Sequence, residues 1–280
     1  MLVGVTHGRY AQQIYDALTE RIEIQADFVS PEVDASKYDF VFAVDDEDAP
    51  KGAKTRRYVT HHNAKTYSWD VVAARHLLPA AKTRGTQNPI AVPLPVTTSI
   101  PAKPTQTGVA LVENEQNQDF TKLLKAAGHQ VADIHDPGVG IVVDLSPTTS
   151  CTEPMRQAMS QEKVVIAMAS NPAATDTIRD QSDGRIISTY SKAVEVVDEL
   201  INNDFERQRL GFEARKAVSN SNWTRVTRAL LIENRRGIPV LEHSNQLAAR
   251  KRWTQRLGHA HPWKFAQYID DGHIELDDQR

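Results

Sequence analysis

Cysteine, long apolar runs and an excess of charge are all scarce in this sequence of 280 residues. Its one cysteine, Cys151, excludes an intrachain disulfide and a cysteine-rich zinc site, and it favours a reducing compartment. We therefore expect a cytoplasmic protein. No run of about 18 apolar residues occurs, so a membrane-spanning helix is not expected. The formal net charge is −3, so any attraction to nucleic acid has to be local.

The motifs of several common enzyme classes are also missing. The sequence contains no phosphate-binding loop of the G-x-x-x-x-G-K-[ST] type, no G-x-G-x-x-G and no G-x-S-x-G. These absences count against kinases, dehydrogenases and serine hydrolases. The composition, with 40% hydrophobic and 25% charged residues, is that of a globular chain with one large domain or two ordinary ones.

Short apolar runs alternate with helical patterns along the chain. In the first hundred residues, strands are predicted at Leu2–Val5, Ile24–Val29, Phe40–Val44, Tyr58–Thr60 and Ile90–Val92, and helices at Tyr10–Arg21 and Val71–Leu78. Five prolines between Asn88 and Pro104 predict a linker, after which the alternation restarts. The sequence therefore predicts an α/β protein with two doubly wound parallel sheets.

The predicted organisation is a first lobe at 1–95, a linker at 96–104, a second lobe at 105–240 and a C-terminal segment at 241–280. Open parallel sheets bind ligands outside the carboxyl ends of their strands. We therefore look for function in a cleft between the lobes.

The most specific pattern lies in the second lobe. In chain order it consists of Gln157-Ala158-Met159, the apolar run Val164–Ala169, Asp176, Arg209-Leu210-Gly211 and Asn222-Trp223. As a spaced set it resembles the nucleotide-sugar-binding domain of GT-B glycosyltransferases, particularly the retaining GT4-like group. The resemblance implies two Rossmann-like lobes facing a cleft. It also implies a nucleotide-sugar donor as co-substrate on the second lobe, a hydroxyl acceptor on the first, and a last helix that packs back on the first lobe, here within His261–Asp271.

Two positions depart from the family pattern. Gln157 replaces a Glu that normally holds the ribose hydroxyls, and Glu113–Asn117 stands where the family has basic residues for the diphosphate. Arg156 and the helix start near Ser150 and Thr152 are the substitutes, since they offer a charge and backbone N–H groups. The alternative is a capped surface helix with a solvated Arg156. The donor-binding residues so implied are Ser150, Thr152, Glu153, Arg156, Gln157, Asn171 and Asp176.

Candidate catalytic residues follow strands of the first lobe. His7 ends the first strand, and some GT-B enzymes use a histidine there as catalytic base, a role that imidazole suits near neutral pH. Asp45 and Asp46 follow the third strand and offer carboxylates for the same task; otherwise these residues form ordinary solvated loops. His61 and His62 end the fourth strand as candidate acceptor-binding residues. Two adjacent histidines without a third ligand predict no metal site.

A basic tract occupies residues 205–264, with thirteen Lys and Arg against four Glu, interleaved with three tryptophans. Such a composition is typical of surfaces that contact phosphates and stack bases, and equally of amphipathic helices with a solvated basic face. If the tract is functional, Arg250, Lys251 and Arg252 would bind an acceptor in DNA. A hydroxymethylated base is then the acceptor, as in phage-type DNA-base glycosyltransferases; otherwise it is a glycan or a small molecule.

Two other functions remain open from the sequence. One is a catalytically inactive GT-B-like binding or regulatory protein, which Gln157 and the missing basic residues favour. The other is a different bilobal enzyme such as a nucleotide-sugar epimerase, although the late Arg209-Leu210-Gly211 and Asn222-Trp223 pattern is less expected there.

Overall fold

A computed structural model describes residues 1–21, 24–66, 69–86, 88–97, 106–112, 117–146 and 152–231. Over these ranges the chain forms two parallel sheets with flanking helices. No helix within them is both long enough and apolar enough to cross a membrane.

The first sheet has six parallel strands in the order β2-β1-β3-β4-β5-β6. In chain order the elements of this lobe are β1 (Leu2–Thr6), α1 (Ala11–Thr19), β2 (Gln25–Val29), β3 (Phe40–Val44), β4 (Thr55–Val59), β5 (Val71–Val72), α2 (Leu78–Thr83) and β6 (Ile90–Ala91). Strand β3 reads Phe-Val-Phe-Ala-Val and is buried along its whole length. A continuous apolar run of this kind suits a central strand that is covered on both faces.

The second sheet has five parallel strands in the order β11-β10-β9-β7-β8. Its strands are β7 (Gly108–Leu111), β8 (Val131–Ala132), β9 (Val139–Asp144), β10 (Val164–Met168) and β11 (Arg185–Ile187). Its helices are α3 (Asn117–Ala126), α4 (Glu153–Ser160), α5 (Pro172–Thr177), α6 (Tyr190–Asn202) and α7 (Asp204–Ser219). Every residue of β9 is buried, and cores lie on both faces of this sheet.

Helix α8 (Trp223–Leu231) returns to the first lobe. Its Val226 and Leu230 are buried in the same core as Val5 and Ile14, and the helix packs along α1. The predicted boundary at residue 240 assigned this helix to the second lobe. The lobe boundary at residue 240 stays a prediction. Helix α8 itself packs on the first sheet, because its apolar face contacts the core of the first lobe. His261–Asp271, proposed from the sequence for this role, lies outside the described residues.

The predicted helix at Val71–Leu78 is wrong. Val71 and Val72 form β5, which pairs with β4 and β6, and a 3-10 turn at Arg75–Leu77 then leads into α2. The apolar residues of this segment are spaced as on a helix, but the first two are buried between β4 and β6 in the sheet. Tertiary pairing of this kind overrides a local periodicity.

Candidate functional site

The first lobe places three loops together at the carboxyl edge of its sheet. Strand β1 lies between β2 and β3, so the chain leaves β1 toward one side and returns to its other side. Ligands of open α/β sheets bind at such a switch point. The loops after β1, β3 and β4 begin at His7, Asp45 and Thr60 respectively, so the predicted catalytic and acceptor-binding residues of this lobe share one edge.

Glu47, which the sequence did not single out, holds two of these loops together. Its Oε2 accepts hydrogen bonds from Thr6 Oγ1 at 2.5 Å and from the Val44 backbone N–H at 3.0 Å. A Cβ on Gly8 would lie 1.9 Å from Glu47 Oε1, so a side chain here would displace the Glu47 carboxylate. Burial raises the pKa of Glu47, and the neighbouring Asp45 adds to the rise. The loop after β1 therefore lies directly against a half-buried carboxylate.

Asp45 is committed to the next loop. Its carboxylate accepts hydrogen bonds from the Thr60 backbone N–H at 2.7 Å and from Thr60 Oγ1 at 2.6 Å. Its backbone is in the left-handed region with φ 46°, a conformation that is uncommon outside glycine. His61 Nε2 lies 3.8 Å from the same carboxylate. Asp45 and His61 are thus brought together, and Asp45 also fixes the end of β4.

The Asp46 carboxylate, like that of Asp45, binds the loop that follows β4. Its Oδ1 accepts from the backbone N–H groups of Lys65 at 2.7 Å and Thr66 at 2.9 Å. These bonds close the loop that follows β4. The role of Asp46 as catalytic base stays a prediction, but the structure gives its carboxylate two structural hydrogen bonds.

His7 is exposed at the end of β1. Its ring stacks on Phe28 at a centroid distance of 5.4 Å, and Phe28 stacks on Tyr15 at 4.7 Å. Phe28 is itself 37% exposed. The imidazole is therefore accessible and oriented by an aromatic stack. His62 is also exposed and lies in the loop after β4, next to His61.

The predicted donor side is the carboxyl edge of the second sheet, where β7 lies between β8 and β9. Helix α4 begins here at Glu153, after the buried Thr152. Gln157 is partly exposed one turn further on. Ser150 lies outside the described residues, as do Arg250, Lys251 and Arg252 of the basic tract.

Arg156, on the same helix, points into the protein rather than toward solvent. It is only 6% exposed; its Nε donates to the Leu94 carbonyl at 2.8 Å and its Nη2 to Ser221 Oγ at 2.8 Å. Leu94 ends the first lobe and Ser221 precedes α8, so Arg156 joins both segments of chain that pass between the lobes. Burial lowers its pKa, which the nearby Tyr58 partly opposes. The alternative of a solvated Arg156 is wrong, and its contact with the donor stays a prediction.

Asn171 and Asp176 belong to helix α5. Asn171 is fully buried and caps the helix, with Oδ1 accepting from the Ala173 N–H at 3.0 Å, whereas its Nδ2 has no hydrogen-bond partner in the part of the chain described. Asp176 Oδ2 accepts from both the backbone N–H of His76 at 2.5 Å and its ring Nδ1 at 2.9 Å.

That hydrogen bond is a contact between the carboxyl edges of the sheets. His76 follows β5 and Asp176 follows β10. In another contact, the guanidinium of Arg9, after β1, forms an ion pair with the carboxylate of Glu153, at the start of α4. The carboxyl edges of the two sheets therefore face each other. Over the described ranges, no three His, Cys, Asp or Glu side chains are grouped so as to hold a metal ion.

No protein-family model and no curated protein matches the sequence. Solved structures do match. The Anabaena protein HepE in complex with UDP matches with a TM-score of 0.53 and 9% identity, over 81% of this chain and 97% of its own. WaaG, a glycosyltransferase involved in lipopolysaccharide biosynthesis, has a TM-score of 0.51 and 9% identity over 83% of this chain and 100% of its own.

Sucrose-phosphate synthase from Thermosynechococcus elongatus matches with a TM-score of 0.52 and 10% identity, over 89% of this chain and 99% of its own. The chain has the GT-B fold. The predicted fold class is thus confirmed, since a GT-B fold consists of two Rossmann-like lobes whose sheets meet at their carboxyl edges. The chain spans about half the length of another match, S. aureus TarM, of which 54% is covered at a TM-score of 0.50 and 12% identity.

Proposed function

We propose that this chain is a glycosyltransferase that moves a sugar from a UDP-linked donor to an acceptor hydroxyl. The observation that carries the proposal is the meeting of two carboxyl edges in a GT-B fold that HepE, crystallised with UDP, shares over most of both chains. The donor would bind the second lobe beside Thr152, Glu153 and Gln157. The acceptor would bind the first lobe beside His7 and His61.

In this reaction the bond between the anomeric carbon and the diphosphate oxygen breaks, and its electron pair leaves with UDP. The acceptor oxygen forms the new bond and loses its proton. If the configuration inverts, a base such as His7 takes that proton, because an exposed imidazole at this edge can reach an acceptor. If it is retained, no dedicated base is required, and the proton leaves with the diphosphate.

The test is calorimetric titration of the chain with UDP, GDP, ADP and CMP, followed by an assay for UDP released from UDP-sugars. We expect binding of UDP in preference to the others, and UDP release that depends on an added acceptor. Binding without turnover would support an inactive binding protein, and conversion of the sugar without acceptor would support an epimerase. Failure to bind any nucleotide would contradict the proposal.

The finer proposal, a hydroxymethylated DNA base as acceptor, depends on the basic tract. In its described part the cations are mostly neutralised: Arg209 pairs with Glu206, Arg215 with Glu162 and Lys216 with Glu213. Trp223 packs against Tyr10 at 5.0 Å and is not available to stack on a base. These contacts favour a glycan or small-molecule acceptor. The release assay distinguishes the two when hydroxymethylated DNA and simple glycosides are supplied as acceptors in parallel.

A further inference from the structure

Three segments that directly follow strands of the second sheet carry no positive charge in the sequence. The segments that follow β7, β9 and β10, residues 112–121, 145–155 and 169–178, contain no Lys, Arg or His, but they contain five Asp and Glu. In sequence, these three segments therefore offer a donor diphosphate carboxylates and no cation. Since a buried or half-buried anion requires a compensating charge, the cation must come from elsewhere.

Lys122, Arg156 and Arg179 follow these segments directly. Arg179 Nε donates to Asp183 Oδ2 at 2.8 Å, and Arg156 does not fill the gap either. Arg156 on α4 is buried, and its Nε and Nη2 donate to Leu94 and Ser221. A diphosphate contact through Nε or Nη2 would break these bonds, and loss of the Nε bond would leave the Leu94 carbonyl without this donor, which is unfavourable for a buried group.

Among the described residues, the first-lobe side chains of His76 and Arg9 reach this edge. The His76 side chain is only 12% exposed and is held by Asp176 through both its ring and its backbone. The Arg9 side chain is 59% exposed and forms its ion pair with Glu153, the first residue of α4. Arg9 is therefore the more accessible of the two, and it already lies against a carboxylate oxygen at the predicted donor site.

We infer that Arg9, from the first lobe, supplies the positive charge for the diphosphate of the donor, and that Glu153 competes with the diphosphate for the same guanidinium. This inference rests on the proposed function. A guanidinium presents a planar set of N–H donors that fits two phosphate oxygens as well as a carboxylate. Exchange of one anion for the other therefore requires little movement of Arg9.

This assignment couples donor binding to the first lobe. Because Arg9 follows β1 while the donor binds beside α4, the diphosphate would link the two lobes. As the sugar–diphosphate bond breaks, negative charge accumulates on the leaving group, where a fixed guanidinium stabilises it. Arg9 would thus contact the leaving group directly, in place of the basic residues that residues 112–121, 145–155 and 169–178 lack.

The experiment is calorimetric titration of the full chain and its Arg9→Ala variant with UDP and with UMP. Loss of a charge-assisted hydrogen bond pair predicts that Arg9→Ala weakens UDP binding by about tenfold or more, and UMP binding by much less. Arg9→Lys should recover part of the loss. Glu153→Gln should strengthen UDP binding several-fold, because the competing carboxylate has been removed. Lys37→Ala, which removes an exposed cation elsewhere on the first lobe, is the matched control and should bind UDP normally.

Thermal unfolding separates binding from folding, since Arg9 is exposed and its loss should leave the melting temperature nearly unchanged. Unchanged UDP affinity in Arg9→Ala, or equal losses for UDP and UMP, would overturn the role of Arg9 while leaving the proposed function intact. If the wild-type chain binds no uridine nucleotide, the proposed function fails and this inference fails with it.

Discussion

Glu47 is the carboxylate of the acidic loop that contacts the end of β1. Asp45 and Asp46 turn toward the loop after β4, whereas Glu47 turns toward β1, where Thr6 and the backbone of Gly8 enclose it. The sequence contains four acids in a row here and does not distinguish them. The roles of these side chains differ because the side chains point in different directions, and the two adjacent strands impose those directions.

The raised pKa of Glu47 predicts a pH dependence of stability. Above its ordinary value of 4.5 the unfolded chain releases this proton, while the folded chain retains it until a higher pH. The contribution of Glu47 to stability therefore falls as pH rises through that interval. Glu47→Gln removes this fall. The difference in the free energy of unfolding, variant minus wild type, should therefore increase between about pH 4 and about pH 7.

Urea unfolding at several pH values measures that difference. Asp48→Asn is the matched control, because it removes an exposed carboxylate from the same loop. A difference between Glu47→Gln and wild type that stays constant with pH would contradict the prediction.

Helix α4 contributes both to the candidate site and to the contacts that hold the connecting segments in place. Its first residue, Glu153, pairs with Arg9 across the lobes, and one turn later Arg156 binds the two connecting segments from inside. Helix α7 packs against the turn that ends α4, and there a Cβ on Gly211 would lie 2.1 Å from the Glu162 carbonyl oxygen. The Arg209-Leu210-Gly211 pattern is thus explained by close packing: Arg209 pairs with Glu206, Leu210 is fully buried and Gly211 permits the contact.

Arg156→Ala should destabilise the protein substantially. It leaves the Leu94 carbonyl unpaired and a cavity in the connecting region, so we expect the free energy of unfolding to fall by about 2–4 kcal/mol. Ser221→Ala, which removes one hydrogen bond, should cost about 1 kcal/mol. Urea unfolding of both variants and their double mutant measures the coupling. If Arg156→Ala binds UDP as tightly as wild type, Arg156 is not part of the donor site. If it lowers the free energy of unfolding by less than Ser221→Ala does, its structural role is contradicted.

At the scale of the whole molecule, the part of the chain that the structure describes crosses between the lobes twice. It leaves the first lobe after β6 and returns with α8, where Trp223 packs against Tyr10 and, edge-on at 6.1 Å, against Tyr58. The first lobe therefore completes its core with a helix encoded more than a hundred residues after its last strand. Its stability depends on that return.

Trp223→Ala should destabilise the first lobe selectively, by about 2–4 kcal/mol, since truncation of a large core aromatic leaves a cavity. Hydrogen exchange should show amides of β1 and β3 losing more protection than those of β9 and β10. Phe212→Ala is the control, because Phe212 is 59% exposed on α7 and should change neither sheet. Equal loss of protection in both sheets would contradict the assignment of α8 to the first core.

The sequence by itself determined the fold class. Continuous apolar runs such as Phe40–Val44 and Val164–Met168 are typical of central strands in covered parallel sheets, and their alternation with helices indicates a doubly wound α/β fold. Tertiary structure alone decided which side chains are available for chemistry. Whether Arg156 is buried, Glu47 is enclosed or Arg9 reaches Glu153 depends on elements that meet in space from distant parts of the chain. Periodicity records which face of an element is buried, but it carries no information about the partner that the other lobe brings to it.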